Sequence, residues 1–569
     1  MLVTPYQLQD IIYFMGQLPT NTAVAFDFET TGLSPYKGDT AIIMSLAYQD
    51  RCYSVFLNEI STQHLRNIFS FKDLRYVAHN AKFELSFLRE QYGIEVMGDV
   101  WCTQTMERLI DNEQLSYSLA ACASRSGLPA KHQLMIDWLK SNKGRLFTDA
   151  PTDILVPYVE LDAVIALALY EKQRQVINYH GMQQLARTEM KVTRILHDME
   201  SMGMLVDREY TREAAIYETQ LLDETYLKLS KLCGAPFVDS AKFLAPKLFE
   251  LHNITLPQTE KGNPSLAAEV LEQYKEHALV DLILTYRHYS KRVSTYWETF
   301  EKMLTINSTA HFTIRQAGAA TGRFSSTPNA QNWPANDDKE AYPIRRAFVA
   351  RPDCKIVSID YAQMELRLMV DEARELGMAH DITSGVDFHQ RVADSAGVTR
   401  NVAKTARFAA LYGASAKRLG ITLGCSEGEA KRIKAALERD TPMITQYSHK
   451  LRRQVETTGI LQNAFGRRYT FADRKMSYKA PNYRIQGGCG DILRRALIGC
   501  DHLLKTRRKS LLSTMLIPIH DEIVFNLHTD DLDLIPFLRH EMIVAYTGDI
   551  LSMNVSVAIG DNFHDLEDM

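Results

Sequence analysis

Residues Thr22 to Phe28 form the apolar run TAVAFDF, which leads straight into Glu29-Thr30-Thr31-Gly32-Leu33. A run this apolar reads as a buried strand, yet Asp27 and Glu29 stand at its end. Two positions apart on a strand, the acids share one face and can reach one ion. Unpaired carboxylates are costly to bury, so the stretch asks for a buried strand that ends beside a cation. Plain surface acidity is the competing reading. A second run, KIVSIDY from Lys355 to Tyr361, ends the same way at Asp360. Its competing reading is a helix capping box, with Gln363 three residues after Asp360. MLIPIHDEIVF, Met515 to Phe525, reads as two short strands with His520-Asp521-Glu522 at their turn. Two strand-end aspartates, Asp360 and Asp521, can converge on one pair of ions.

Further acids join the first run. In AHNAKFELSFL, Ala78 to Leu88, the spacing of Phe83, Phe87 and Leu88 predicts a helix with Glu84 inward. In PYVELDAVIALALY, Pro157 suits a first helical turn, and Tyr158 and Asp162 lie one turn apart on one face. Three segments thus supply four carboxylates and a phenol, hard oxygen donors that suit magnesium or manganese. A surface Glu84 and a core Tyr158 are the bland alternatives. The eight cysteines form no CxxC pair, so the sequence predicts neither zinc nor disulfides.

Between the two later acidic segments lies RNVAKTARFAALYG, Arg400 to Gly413. Arg400, Lys404, Phe408 and Tyr412 recur every fourth residue, so a helix would present two cations and then two rings along one stripe. A nucleoside triphosphate has that layout; a core helix with a basic edge is the alternative. The 569 residues hold about three or four domain-sized units. No apolar run reaches the roughly 18 residues of a membrane span, and the start, MLVTPYQLQD, lacks a signal-peptide layout; a cytoplasmic protein is expected. Net charge is -4, but local basic pairs, Arg452-Arg453, Arg467-Arg468, Arg494-Arg495 and Arg507-Arg508-Lys509, predict a lining for a polyanion. From Gln183 the spacing turns helical, Gly203 closes that helix, and Asp207 to Leu304 reads as helix-rich with a loop at Thr255 to Ser265.

The ordered set DFET, HNxxFE and YxxxD resembles the proofreading exonuclease domain with an Asp-Glu-Asp-Asp-Tyr site. The resemblance implies that Asp27, Glu29, Glu84 and Asp162 hold two divalent ions and that Tyr158 orients the attacking water. Glu84 departs from the family's Asp, which adds about 1.5 Å of reach. The order TGRxSS, DYxQxELR, RxxxKxxxFxxxYG, QGxxxD and HDE resembles family A DNA polymerases, and RHYSKRVSTYW, Arg287 to Trp297, is similar to their thumb-to-palm junction.

That resemblance implies a multidomain fold of α/β and α+β parts: a ribonuclease H-like exonuclease domain at 1–182, then a right-hand polymerase at 183–569. Within the latter, the thumb would span about 205–305, the palm about 306–370 and 485–569, and the fingers about 371–484. Asp360 and Asp521 would hold two catalytic magnesium or manganese ions, with Glu522 in support. Arg400, Lys404 and His389 would take the triphosphate, Lys404 serving as proton donor, and Phe408 and Tyr412 the sugar and base. Gln363 and Glu365 would also face the nucleotide, Glu365 occupying the space of a 2′ hydroxyl. Arg323, Asn332, Asn482, Gln486 and His520 would touch DNA, with Arg323 in the minor groove. Arg407 and Ala409 stand where relatives commonly have Asn and Gly. The partners implied are primer–template DNA and deoxynucleoside triphosphates, with no membrane; the chain is expected to be a monomer, and a processivity factor or a helicase–primase partner is compatible with it. An RNA polymerase would share much of this framework, but Glu365 and the exonuclease motifs argue against it; a binding module with decayed sites would not keep these acids. Asp27 lies too near the N-terminus for a preceding 5′ nuclease domain, which points to phage or plasmid DNA replication in the host cytoplasm.

Overall fold

The computed structural model describes residues 1–569 except 130–132, 146, 260, 335–336 and 412, and only the backbone at 408 and 411. The N-terminal sheet contains β1 (Ala23–Thr30), β2 (Ala41–Tyr48), β3 (Arg51–Phe56), β4 (Arg75–Ala78) and β5 (Asp99–Cys102) in the order β3-β2-β1-β4-β5. β1 pairs antiparallel with β2 and parallel with β4. Its first four residues are buried, after which burial alternates, so Asp27 and Glu29 emerge on one face while Phe28 and Thr30 stay inside. Helices α1 (Lys82–Tyr92), α2 (Thr103–Ile110) and α3 (Thr152–Tyr179) complete this unit, with α3 packed over β1 and β2.

Pro157 does not open α3. The helix begins at Thr152 and the proline sits in its second turn, on the exposed side with Asp153. The N–H that Pro157 lacks would have bonded the carbonyl of Asp153, which water can satisfy, so the helix tolerates it there.

Helix α4 (Gln183–Met202) joins the two halves by burying both of its sides. Leu185, Ala186 and Met190 enter the core of the first sheet, while Val192, Ile195, Leu196 and Met199 enter the largest core of the chain. Gly203 ends it at φ 59°, where a Cβ would press on the Ala310 carbonyl at 2.8 Å. Next, α5 (Arg208–Cys233) and α6 (Ala278–Lys291) pack together around a small core that includes Leu229 and Ile283. A short hairpin, β6 (Thr313–Arg315) and β7 (Ser325–Thr327), carries the TGR text between its strands.

The second large sheet is built from distant segments: β8 (Cys354–Tyr361), then α7 (Met364–Ala373), α8 (Phe388–Ala396), α9 (Arg400–Leu411), α10 (Glu427–Asp440), the hairpin β9 (Ile460–Gln462) and β10 (Arg468–Thr470), the long α11 (Ala480–Arg507), and β11 (Thr514–Ile519), β12 (Glu522–His528), β13 (Val555–Gly560) and β14 (Leu566–Asp568). Its order is β11-β12-β8-β13-β14, which places β8 at the centre. Helices α8 to α10 share a separate small core of Val392, Ala403, Ala406, Ile433 and Leu437. Among the described residues, no helix is long and apolar enough to cross a membrane.

Candidate functional site

The first site forms at the open end of β1. Ser45, opposite Asp27 on β2, donates its hydroxyl to the Val159 carbonyl at 2.9 Å, which pins α3 over the strand end. Tyr158 and Asp162 come down on the acids as a result. Carboxylate oxygens of Asp27, Glu29 and Asp162 lie within 4.8 Å of one another. Burial, then the charges of Glu29, Glu84 and Asp162, push the Asp27 carboxyl well above the usual range. Glu84, in the first turn of α1, is 3% exposed and stands beside this trio rather than within it. Burial pushes its carboxyl up to about 8, and its Oε2 has no hydrogen-bond partner. Burial and the same acids raise the Tyr158 phenol, which stays protonated. Crowded carboxylates with an orphaned oxygen are what a divalent cation would satisfy, and the all-oxygen donor set fits magnesium or manganese.

The second site forms where β8 meets the β11–β12 hairpin. Asp360 pairs in register with Glu522, and Ile519 pairs with Glu522, so His520 and Asp521 are the two loop residues. His520 takes φ 52°, the sign that a tight two-residue hairpin requires. The Tyr361 N–H donates to the Asp521 carbonyl at 3.2 Å, locking the turn to the end of β8. Asp360 is therefore no capping residue: it sits in a strand, and Gln363 adopts φ 56° just ahead of α7. Asp360 keeps solvent contact, yet the protein around it, then the Asp521 charge, push its carboxyl up to about 6. Burial pushes Glu522 up to about 7, and its Oε1 lacks a partner.

Glu365 enters the same cluster from the first turn of α7, also pushed up to about 7 by burial, with Arg323 pulling the other way. Arg323 ion-pairs with Glu365 and stands 3.6 Å from Asp521. Gln331, on the segment that carries Asn332, accepts from the His520 N–H at 2.6 Å and donates to the Pro518 carbonyl at 3.0 Å. Asn332 is exposed, and its carbonyl accepts from Tyr296. Asn482 and Gln486, both half-buried, lie in the first two turns of α11.

On α9, Arg400 and Lys404 are exposed. Arg400 ion-pairs at 2.5 Å with Asp387, the N-cap of α8, and so draws the stripe against the helix that carries His389. Burial, then the charges of Arg407, Arg400 and Lys404, push the His389 imidazole down to about 4, which leaves it neutral. The Phe408 side chain and Tyr412 lie outside the described residues. Arg407 is 4% exposed and bonds Asp440 at 2.8 Å and the Phe388 carbonyl at 3.3 Å, tying α9 to α8 and to the end of α10. Nothing in the structure explains Ala409.

Two of the arginine pairs read as a polyanion lining are instead partly internal. Arg467 and Arg494 are 4% and 0% exposed. Arg467 ion-pairs with Glu189 of α4 and with Asp491 of α11 at 2.6 Å, and Arg494 reaches Glu189 at 2.9 Å. Arg494 also donates to the Gly322 carbonyl at 2.8 Å, so this buried network props the loop that presents Arg323. The QGxxxD text held the missed signal. Asp491 anchors the network, and a Cβ at Gly487 would collide with the Tyr469 hydroxyl at 1.6 Å.

Two separate centres of crowded acids thus stand one on each sheet, and among the described residues the first brings three of them within reach of one ion. Residues 1–178 match the family model for 3′-5′ exonuclease, and residues 209–565 match that for DNA polymerase family A. The second match covers more than half of the chain, which belongs to DNA polymerase family A and carries an N-terminal exonuclease domain. It is 29% identical to the DNA polymerase I of Chloroflexus aurantiacus, over 98% of this chain and 62% of that protein. It is also 29% identical to the DNA polymerase of Mycobacterium phage L5, over 89% of this chain and 86% of that protein. The chain thus spans less than two thirds of the length of the bacterial relative. Its fold is similar to that of the POL domain of Pol1 from M. smegmatis, solved in complex with DNA primer-template and dNTP, with a TM-score of 0.85, 23% identity and 99% of each chain covered.

Proposed function

We propose that this chain is a DNA-templated DNA polymerase that extends a primer 3′ end and removes mispaired 3′ ends at its own exonuclease site. The observation that carries the reading is the pairing of Glu365 with Arg323 beside Asp521, because it puts a bulky acid and a minor-groove donor next to the carboxylates of the second site. Family membership and the separate trio at Asp27, Glu29 and Asp162 support it.

Asp360 and Asp521 would hold two magnesium or manganese ions, and Asp27, Glu29 and Asp162, with Glu84 beside them, would hold a second pair. Bound there, such ions make the attacking oxygen a stronger nucleophile and neutralise the departing one. The chain's own residues do the rest. Arg400 and Lys404 clamp the outer phosphates, and Lys404 returns a proton to the leaving pyrophosphate. Neutral His389 donates to the triphosphate without adding charge. Gln363 contacts the nucleotide, and the family resemblance gives Phe408 and Tyr412 its sugar and base. Glu365 fills the space a 2′ hydroxyl would need, which rejects ribonucleotides by exclusion. Glu522 supports the metal site. Arg323, Asn332, Asn482, Gln486 and His520 position primer and template. In the nuclease site the protonated Tyr158 donates to the attacking water and orients it.

The chain divides on this reading into an exonuclease at 1–182 and a polymerase at 183–569, the latter with a thumb at about 205–305, a palm at about 306–370 and 485–569, and fingers at about 371–484. The phage relative supports a role in phage or plasmid DNA replication. A primer-extension assay tests the whole: the labelled primer lengthens with deoxynucleotides and shortens without them, and ribonucleotides are poorly used. Asp360→Ala removes lengthening alone and Asp27→Ala removes shortening alone. Loss of both activities in either variant would overturn the two-site reading.

A further inference from the structure

Strands β1, β4 and β5 run parallel, with the acids of the first site at the far end of β1. At their opposite, starting end the sheet meets α4 around a cavity of about 360 Å³. Four and six residues of strand separate the start of β1 from Asp27 and Glu29, or roughly 13–20 Å at about 3.3 Å per residue. The cavity is therefore distinct from the nuclease site.

Its charged lining is lopsided. Arg75 opens β4, Arg187, Lys191 and Arg194 project from α4, and Asp99 is the acid opposing them, with Trp101 forming an apolar wall. Among the described residues none of the four cations has a carboxylate within ion-pair distance. Arg75 is held rigidly by neutral acceptors, the Tyr170 hydroxyl at 3.2 Å and Asn21 Oδ1 at 2.9 Å, and its Nε is buried without a partner. Arg194 donates to the backbone carbonyls of Val96 and Gly98. Arg187 and Lys191 are exposed one turn apart. Elsewhere the chain neutralises such groups: Arg89 binds both Glu95 and Asp198. A solvated basic helix face would explain Arg187 and Lys191. It does not explain a guanidinium fixed by neutral acceptors on the wall of a concavity lined by four cations and one acid.

We propose that this cavity is a second, metal-independent phosphate-binding site, which takes a phosphate from a free nucleotide or from a nucleic-acid strand. The planar guanidinium of Arg75 matches phosphate oxygens, the cations of α4 supply the charge, and the volume suits a ligand of nucleotide size. Trp101 offers the adjoining base an apolar surface.

The test is fluorescence anisotropy of a short fluorescein-labelled oligothymidylate, in EDTA and with unlabelled primer–template in excess to fill the other clefts. Wild type should bind, and more weakly as salt rises. R187E/K191E reverses two exposed charges outside both catalytic sites and should weaken binding at least tenfold, with an unchanged melting midpoint and unchanged primer extension. Arg75→Lys keeps the charge but removes the fork, and should weaken it severalfold. Displacement by dTMP or pyrophosphate identifies the free nucleotide as the source; displacement only by a longer strand identifies strand phosphates. Absence of binding by wild type, or equal binding by wild type and R187E/K191E, overturns the site.

Discussion

Glu84 is a buried acid with an unpartnered oxygen beside a crowded site. Its carboxyl sits in the first turn of α1, 3% exposed, beside three acids that gather without it, and burial lifts it to about 8 from an ordinary 4.5. The folded, metal-free protein therefore binds a proton there that the unfolded chain releases between those values. By linkage this contribution to stability is complete below pH 4.5 and is lost as pH rises toward 8. In EDTA, the part of the melting midpoint due to Glu84 should fall over that window. Glu84→Gln keeps the shape without the charge and should flatten the slope, and magnesium should restore stability to the wild type at the alkaline end. A slope that Glu84→Gln leaves untouched would place the titration elsewhere. Asp27, Glu29 and Asp162 were legible in the sequence as strand-end and helix-face acids. That Glu84 would stand to one side was not, because a spacing does not fix how far a longer side chain reaches.

At the level of elements, the strands ending in acids, the helix from Arg400 and the two-strand HDE turn were all readable from periodicity, since local pattern decides them. The interior charges were not. Arg467 and Arg494 look like surface pairs because their partner Glu189 lies far away in sequence, on a helix that buries both of its sides. Breaking a buried ion pair leaves the other partner desolvated, at about 3–5 kcal/mol. Glu189→Ala should therefore lower stability by about that much and slow primer extension as the loop holding Arg323 loosens; a midpoint within a degree of wild type would refute the network's role. Arg407 belongs to the same class of device. It ties α9 to α8 and α10 through Phe388 and Asp440, and Asp440 also receives Arg391 at 2.8 Å. Because Asp440 keeps that second arginine, Arg407→Gln should unfold little. The stripe and His389 would lose their mutual register, so KM for the incoming nucleotide should rise about tenfold, with digestion of single strands unchanged and Arg407→Lys intermediate.

Across the whole molecule, the two sites stand on separate sheets but share a brace. Asn112, just past α2, donates to the Ala320 carbonyl at 3.2 Å and accepts from the Thr470 N–H at 3.0 Å, while Arg108 donates to the Ala317 carbonyl at 3.0 Å. The nuclease unit thus holds, from outside, the same loop that Arg494 props from within at Gly322, where φ is 89°. Lacking a Cβ, Gly322 takes that conformation cheaply, and the two supports fix where the turned loop sits. Removing the outer support should leave both chemistries intact and change how they share a primer end. Asn112→Ala, at a half-buried edge between units, strands one carbonyl and one N–H, neither of them fully buried, so stability should drop by about 1 kcal/mol. Extension from a matched primer should slow severalfold because Arg323 is less firmly placed, whereas digestion of a single strand should keep its rate, since Asp27, Glu29 and Asp162 lie on β1 and α3. The ratio of shortened to lengthened primer at limiting nucleotide should rise accordingly. Equal slowing of both reactions would mean that Asn112 supports folding of the whole chain rather than the loop, and no change in either would mean that the inner support alone suffices.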